Sequence, residues 1–376
     1  MNSHKKECNY RICIQLTIQL FIIIAISFAL NPYKAYAEFS DIKWQPGHYM
    51  RFRDNHSENN MRNFLSNQHT KGIMVHINWD DIEPQFNNYN FEKIDYFLSL
   101  VSSYNKFLII DIVVRCFNAG CTHGNAPDYI RSDPSYNGGV ELLVRPNGSV
   151  KGSTVRLWDP VVVDRLIKLL EAIGNEYDDN SNLVGVSLPS ESAIALGKNK
   201  YDYTAKSYET QLKRIASAMA SSMPKTIGMT GMNFFPGAKD KTATFTRIAE
   251  HLVKTGSGAI THPDTIPEGY DMPQYKVETA FNDKLAIVAQ FQTWNIRNEI
   301  SEEDIFLFAI KTLGSQFVVW NQHFSSRHGG NRPNYISNYV LPVVNKYQGQ
   351  TTGDFPQSFM RSADLPAPKL SIVANN

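Results

Sequence analysis

The chain has 376 residues, of which 42% are hydrophobic and 19% are charged, and its formal net charge is +1 at pH 7. This balance is that of a globular protein with enough apolar residues for one large core or two smaller ones. A net charge so close to zero gives no electrostatic reason to expect a nucleic acid or an anionic membrane surface as a partner.

The first 37 residues have the organisation of a secretory signal peptide. Basic residues precede an apolar run over residues 14–30, and Ala35-Tyr36-Ala37 fits a small-x-small cleavage site. Cleavage after Ala37 would export the chain to the periplasm or the medium and leave it free of the membrane. An uncleaved membrane anchor is the alternative, because the apolar run approaches the length that spans a bilayer.

Two of the four cysteines, Cys116 and Cys121, lie beyond the predicted cleavage site and close together in the chain. In an oxidising compartment such a pair favours a local disulfide bond. A metal pair near His123 is the alternative, but no cluster of His and Cys at ligand spacing accompanies it. We therefore expect a Cys116–Cys121 disulfide, and neither a metal ion nor another cofactor.

Strand-like and helix-like patterns alternate from Trp44 onward. Short apolar, β-branched runs predict strands, and apolar residues at helical spacing predict amphipathic helices. The predicted strands cover residues 44–52, 72–79, 107–114, 183–191, 226–233, 258–262, 285–292 and 316–320. The predicted helices cover residues 59–69, 90–104, 161–177, 203–223, 242–254, 275–282, 301–313 and 338–347. Ser301 followed by Asp304 predicts a capping box at the start of the seventh helix.

Eight strands that alternate with eight helices predict a parallel sheet of the α/β class. Eight such units over about 310 residues match a closed (β/α)8 TIM barrel, with one long loop insertion over residues 115–160, after the third strand. A doubly wound open sheet is the alternative, but no G-x-G-x-x-G sequence follows any strand. The sequence thus predicts a signal peptide over residues 1–37, a barrel over 38–350 and a C-terminal tail over 351–376.

After the second strand the chain reads Trp79-Asp80-Asp81-Ile82-Glu83-Pro84-Gln85-Phe86-Asn87-Asn88-Tyr89-Asn90-Phe91. This stretch resembles the W-x-x-x-E-P-x-x-G-x-Y-D/N-F sequence of clan A glycoside hydrolases, with Asn in place of Gly. The resemblance implies a retaining barrel enzyme with a general acid/base Glu at the end of strand four and a nucleophilic Glu at the end of strand seven. Glu191 ends the fourth predicted strand, after Ser190 where that family usually has Asn.

The seventh strand departs from this pattern, because Gln290 and Gln292 stand where the resemblance implies a Glu. Both amides share one strand face with Trp294. An amide can neither form the glycosyl–enzyme ester nor act as a base toward water at neutral pH. Asp264, just beyond the sixth strand, is the candidate second carboxylate, with Glu268 in the following loop as the alternative. Inverting chemistry would require Asp264 about 6.5–9.5 Å from Glu191.

Other polar and aromatic side chains also follow the predicted strand ends. Period-2 alternation puts them on shared faces, where they could bind sugar hydroxyls and stack on flat sugar rings. The predicted substrate-binding residues are His76, Asn78, Arg115, Asn233, His262, Gln290, Gln292, Trp294 and Trp320. The resemblance implies the last of these, because many clan A enzymes have a tryptophan at the end of strand eight that lines the sugar site.

Several of these residues have a structural alternative. Glu83 is expected to tether a loop rather than to react, since it lies in a turn beyond the strand. Asp111, inside an apolar run, must be paired, and Arg115 on the same strand face is the expected partner. Glu191 could be a solvated loop carboxylate, and Trp320 could belong to the core rather than to a sugar platform.

Three functions fit the sequence. The first is an exported glycoside hydrolase that acts on a polysaccharide or oligosaccharide, with Glu191 as general acid/base. The second is a non-catalytic barrel that binds glycan, which the two strand-seven amides favour. The third is a structural or assembly protein of the cell envelope, because a fold alone does not specify a function. For the first two functions the expected partner is a carbohydrate.

Overall fold

The computed structural model describes residues 42–53, 57–188, 201–233, 235–261, 271–292, 300–321, 334–353, 355–356 and 359. Eight parallel strands form a closed barrel in the order of the chain, and the first strand also pairs with the last. The strands are β1 (Gly47–Phe52), β2 (Gly72–Asn78), β3 (Phe107–Val113), β4 (Leu183–Ser187), β5 (Ile227–Gly231), β6 (Gly258–Ile260), β7 (Ala286–Gln292) and β8 (Phe317–Asn321). The predicted (β/α)8 barrel is therefore confirmed.

A helix follows each barrel strand along the chain. The main helices are α1 (Glu58–Leu65), α2 (Glu92–Ser102), α3 (Pro160–Tyr177), α4 (Ala205–Ser222), α5 (Lys241–Thr255), α6 (Pro273–Phe281), α7 (Glu302–Phe308) and α8 (Leu341–Lys346). A π-helical turn, Ala309–Leu313, continues α7, and a second one, Ile336–Val340, precedes α8. The predicted capping box of α7 is confirmed, because Ser301 and Asp304 each accept a hydrogen bond from the other's backbone N–H.

The barrel strands are buried on both faces, and this explains their nearly continuous apolar sequences. One cluster fills the barrel interior and includes Tyr49, Met74, Met229, Val288 and Val319. The larger cluster lies between the strands and the surrounding helices. On several strands, the side chain two residues beyond a member of this interior cluster also points inward. These side chains form the next interior layer, toward the C-terminal strand ends.

Residues between β3 and α3 form a small antiparallel sheet rather than the irregular loop predicted. Its strands are Arg115–Cys116, Val150–Val155 and Val140–Val144, in that spatial order. Gly152 is required at its position, because a Cβ atom there would collide with the carbonyl oxygen of Cys116. The predicted disulfide between Cys116 and Cys121 is confirmed and closes the turn that follows the first of these strands.

Aromatic rings cover the N-terminal end of the barrel. Trp44 makes edge-to-face contacts with Phe317 of β8 and with Phe355, both at a ring-centre distance of 5.2 Å, and with Phe359 at 5.6 Å. Phe355 and Phe359 belong to the segment predicted as a tail, most of which lies outside the described residues, as does the predicted signal peptide. Among the helices that the structure describes, none is long and apolar enough to cross a bilayer.

Candidate functional site

Four polar side chains from the first four barrel strands meet near the C-terminal strand ends. The Asp111 carboxylate on β3 accepts hydrogen bonds from Arg51 Nη2 of β1 and from Ser187 Oγ of β4, both at 3.0 Å. His76 of β2 places its Nε2 atom 2.8 Å from Asp111 Oδ2. The strand register puts His76, Asp111 and Ser187 side by side. We call these four residues the Asp111 cluster.

The Asp111 cluster is an ion pair beside a neutral imidazole. Asp111 is 0% exposed and Arg51 is 2% exposed. Burial raises the pKa of the Asp111 carboxyl, but His76 and Arg51 outweigh that effect and hold the pKa below its ordinary value. Burial and the charge of Arg51 lower the pKa of His76 to about 3, so its imidazole is uncharged at neutral pH.

Arg51, and not the predicted Arg115, forms the ion pair with Asp111. Arg115 is also buried, and its charge contributes to the lowered pKa of Asp111. Its guanidinium carbon lies 5.5 Å from the centre of the Phe117 ring. The sequence predicted a partner on the same strand as Asp111, whereas Arg51 reaches Asp111 from β1, across β2. Arg51 has the inward parity of Tyr49, but the sequence of a strand buried on both faces does not show which parity is inward.

Two amide side chains extend the polar interior to β7 and β8. Gln290 is 0% exposed, and its Nε2 atom lies 3.6 Å from the sulfur of Met74 on β2. Asn321 ends β8, is 1% exposed, and pairs with Arg51 in the strand register. Gln290 was among the predicted site residues, but Asn321 was missed because the predicted strand ended one residue earlier.

Trp320 occupies a different place from the one predicted. Its neighbours Val319 and Asn321 have the inward parity, so Trp320 faces the helices. Its indole Nε1 donates to Nδ1 of His48 at 3.0 Å, and its ring stacks on that imidazole. Trp320 is buried on the helix side of the barrel wall, away from the interior where the polar side chains meet. We therefore assign it to the core, and it takes no part in the site proposed below.

The structure describes only some of the remaining predicted site residues. Asn78 ends β2 and is half-buried, and Asn233 is buried two residues beyond β5. Gln292 ends β7, and its side chain is not described. Glu191, His262, Asp264 and Trp294 lie outside the described residues. Within the described ranges, no group of three or more His, Cys, Asp or Glu side chains could hold a metal ion.

The stretch that carries the family resemblance forms a buried anchor after β2. Glu83 is 0% exposed, accepts hydrogen bonds from Trp79 Nε1 at 2.9 Å and from the Asn87 N–H at 3.1 Å, and pairs with Arg165 of α3. Arg165 also donates to Asn87 Oδ1 and to the Tyr89 hydroxyl. Asn87 has a φ of 58°, the left-handed conformation that the family's glycine adopts most easily. The predicted tethering role of Glu83 is confirmed.

Acid should destabilise the fold through His48 and His76. Burial lowers the pKa of His48 to about 3, as it does for His76, against about 6.5 in an unfolded chain. As the pH falls, both histidines therefore bind protons at a higher pH in the unfolded chain than in the folded chain. The free energy of unfolding has its full value above about pH 6.5 and falls as the pH drops toward 3. Each histidine can remove at most about 1.4 kcal/mol of unfolding free energy per pH unit. Asp111, with its lowered pKa, adds to the loss below about pH 4.

Urea denaturation between about pH 7.5 and pH 5 measures this dependence. In the variant His48→Asn, the amide oxygen can still accept the hydrogen bond from Trp320, but the side chain cannot be protonated. Its unfolding free energy should depend on pH less steeply than that of the wild type. An equal slope in both proteins would contradict the role given to His48.

Solved structures of glycoside hydrolases share this fold, although no protein-family model and no curated protein matches the sequence. The β-galactosidase from Bacillus circulans sp. alkalophilus has a TM-score of 0.54 and 12% identity, over 81% of this chain and 56% of that chain. A structure described as a glycoside hydrolase has a TM-score of 0.51 and 12% identity, over 80% of this chain and 99% of that chain. Endo-glycoceramidase II from Rhodococcus sp. has a TM-score of 0.51 and 12% identity, over 80% of this chain and 78% of that chain.

The predicted resemblance to clan A glycoside hydrolases is thus confirmed for the barrel fold. The chain spans 56% of the length of the β-galactosidase, and identities of 12% carry the fold and not the activity. The chain therefore has the (β/α)8 barrel fold that these glycoside hydrolases also have, with a polar interior near the C-terminal strand ends.

Proposed function

We propose that this chain is an exported glycoside hydrolase that acts on a polysaccharide or an oligosaccharide, with Glu191 as its general acid/base. The observation that carries the proposal is the polar interior near the C-terminal strand ends, where (β/α)8 enzymes hold their catalytic groups. Ser187, the last residue of β4, contributes to this interior through its hydrogen bond to Asp111. Glu191 follows Ser187 after three intervening residues.

The proposed reaction needs a proton donor and a base that activates water. Glu191 would give its proton to the glycosidic oxygen as the bond to the anomeric carbon breaks. Asp264 is proposed as the second carboxylate, which would take a proton from the attacking water in an inverting reaction. Asp111 is a poor candidate for that role, because Arg51 and Ser187 bind its oxygens and its pKa lies below the ordinary value.

Export is part of the same proposal. The predicted signal peptide would direct the chain out of the cytoplasm. The Cys116–Cys121 disulfide supports this location, because such bonds persist in oxidising compartments. Mature protein recovered from the cell exterior or the periplasm should begin after Ala37, which N-terminal sequencing would check.

A second candidate function is glycan binding without hydrolysis. The observation that favours it is Gln290, a buried inward-facing amide on the strand where the resemblance implies a nucleophilic Glu. An amide cannot form a covalent glycosyl intermediate. The same polar interior could still hydrogen-bond a sugar.

The mature chain, residues 38–376, can be tested against cello-, xylo-, manno- and galacto-oligosaccharides and the corresponding polysaccharides. The hydrolase proposal expects new reducing ends from at least one of them. Retention of a glycan on an array without new reducing ends would support the binding function instead. A chain that neither binds nor cleaves any of these probes would contradict both functions.

A further inference from the structure

We infer that Gln290 and Asn321 form a donor–acceptor pair that binds the hydroxyl groups of one neutral sugar ring. This inference rests on the proposed glycan-binding site and names the class of ring that it takes. Gln290 lies on β7 and Asn321 on β8, two adjacent parallel strands. Both have the parity of residues in the interior cluster, Val288 and Val319, so both face into the barrel.

Among the residues that the structure describes, each amide holds a buried polar atom without a hydrogen-bond partner. These atoms are Oε1 of Gln290 and Nδ2 of Asn321, and the two residues are 0% and 1% exposed. At its other end, Gln290 contacts the sulfur of Met74, which is a weak acceptor. A buried polar group without a partner destabilises a fold relative to an apolar side chain of the same shape. Packing alone would therefore favour Met or Leu at these positions.

A third buried amide in the barrel shows what a structural role requires. Gln316 immediately precedes β8 at the opposite end of the barrel and is 2% exposed. Its Oε1 accepts a hydrogen bond from the Ile287 N–H at 2.7 Å, and its Nε2 donates to the Asn282 carbonyl at 3.3 Å. The amides that lack such partners lie toward the C-terminal strand ends, where barrel enzymes bind substrates. Buried polar atoms without hydrogen-bond partners at such a place are typical of a functional site.

The chemistry of the two atoms selects the ligand. A carbonyl oxygen only accepts hydrogen bonds and an amide nitrogen only donates them. A sugar hydroxyl does both. Gln290 and Asn321 are diagonal neighbours, offset by two residues in the strand register, so different hydroxyls of one ring can satisfy them together. A uronate carboxylate would be repelled by Oε1 of Gln290, and the ammonium group of an amino sugar by Nδ2 of Asn321. The pair therefore fits a neutral hydroxylated ring.

The variants Gln290→Met and Asn321→Leu test this inference, with Gln316→Met as a matched control. The probes are cello-, xylo-, manno- and galacto-hexaose, with polygalacturonate and glucuronoxylan fragments as their acidic counterparts. Each site variant should bind the best neutral probe at least about tenfold more weakly than the wild type. Its melting temperature should stay the same or rise, because an unsatisfied buried group has been removed. Gln316→Met should do the reverse, with a lower melting temperature and unchanged binding.

Three results would overturn the inference, and they separate it from the proposed function. Site variants that melt at a lower temperature and bind as the wild type does would assign both amides to the fold. Tighter wild-type binding of the acidic fragments than of the neutral probes would overturn the ligand class. A wild-type chain that binds none of the probes would overturn the proposed function, and the inference with it.

Discussion

Glu83→Gln should lower the free energy of unfolding by about 3–5 kcal/mol, a large part of the 5–15 kcal/mol that stabilises a typical domain. Glu83 is 0% exposed and its partner Arg165 is 5% exposed. The substitution leaves the Arg165 guanidinium buried without a countercharge. It also weakens the acceptor that holds Trp79 and the Asn87 backbone. Urea denaturation followed by far-UV circular dichroism would measure the loss.

Two further variants show whether the lost charge is the cause. Asp179→Asn removes an exposed ion pair, since Asp179 is 90% exposed and lies 2.7 Å from Lys225, and it should change stability little. The double variant Glu83→Leu/Arg165→Met removes both buried charges and should be more stable than Glu83→Gln. A Glu83→Gln protein as stable as Asp179→Asn would contradict the anchoring role of Glu83.

Local patterns were sufficient to predict the barrel, because most of its strands are short apolar, β-branched runs and each is followed by a helix-like segment. The tether at Glu83 and the cap at Ser301 were also predictable, since their partners lie within a few residues in the chain. The Cys116–Cys121 disulfide belongs to the same group of short-range contacts. These features depend on spacing that the sequence shows directly.

The features that were missed either lie in a segment with the composition of a loop or depend on contacts between distant segments. The strand Val140–Val144 pairs with Val150–Val155, but both are short and lie in a Gly-, Pro- and Asn-rich segment that has the composition of a loop. Arg51 reaches Asp111 across an intervening strand, which no spacing rule reveals. Trp320 was given the wrong strand face, because a strand buried on both sides does not show which parity faces the interior.

Glu191→Gln should reduce hydrolysis of a natural oligosaccharide by about 10²–10⁴-fold, the range that a general acid/base contributes. Gln nearly keeps the shape of Glu, but it cannot give a proton to the departing glycosidic oxygen. An aryl glycoside with a nitrophenolate leaving group needs less protonation, so its cleavage should fall less. Binding of the oligosaccharide should be largely retained.

A matched control is available on the surface. Glu171 lies on α3, is 42% exposed and pairs with Lys168 at 2.7 Å. Glu171→Gln makes the same chemical change on the exposed surface of α3, and it should leave hydrolysis unchanged. A loss of hydrolysis in both variants would indicate damage to the fold and not the removal of an acid/base.

The release of reducing ends from one oligosaccharide by the wild type, Glu191→Gln and Glu171→Gln is the most direct test of Glu191 as the acid/base of a glycoside hydrolase. We predict hydrolysis by the wild type and by Glu171→Gln, and a loss of at least about 10²-fold in Glu191→Gln. Hydrolysis by Glu191→Gln at the wild-type rate would contradict the assignment of Glu191.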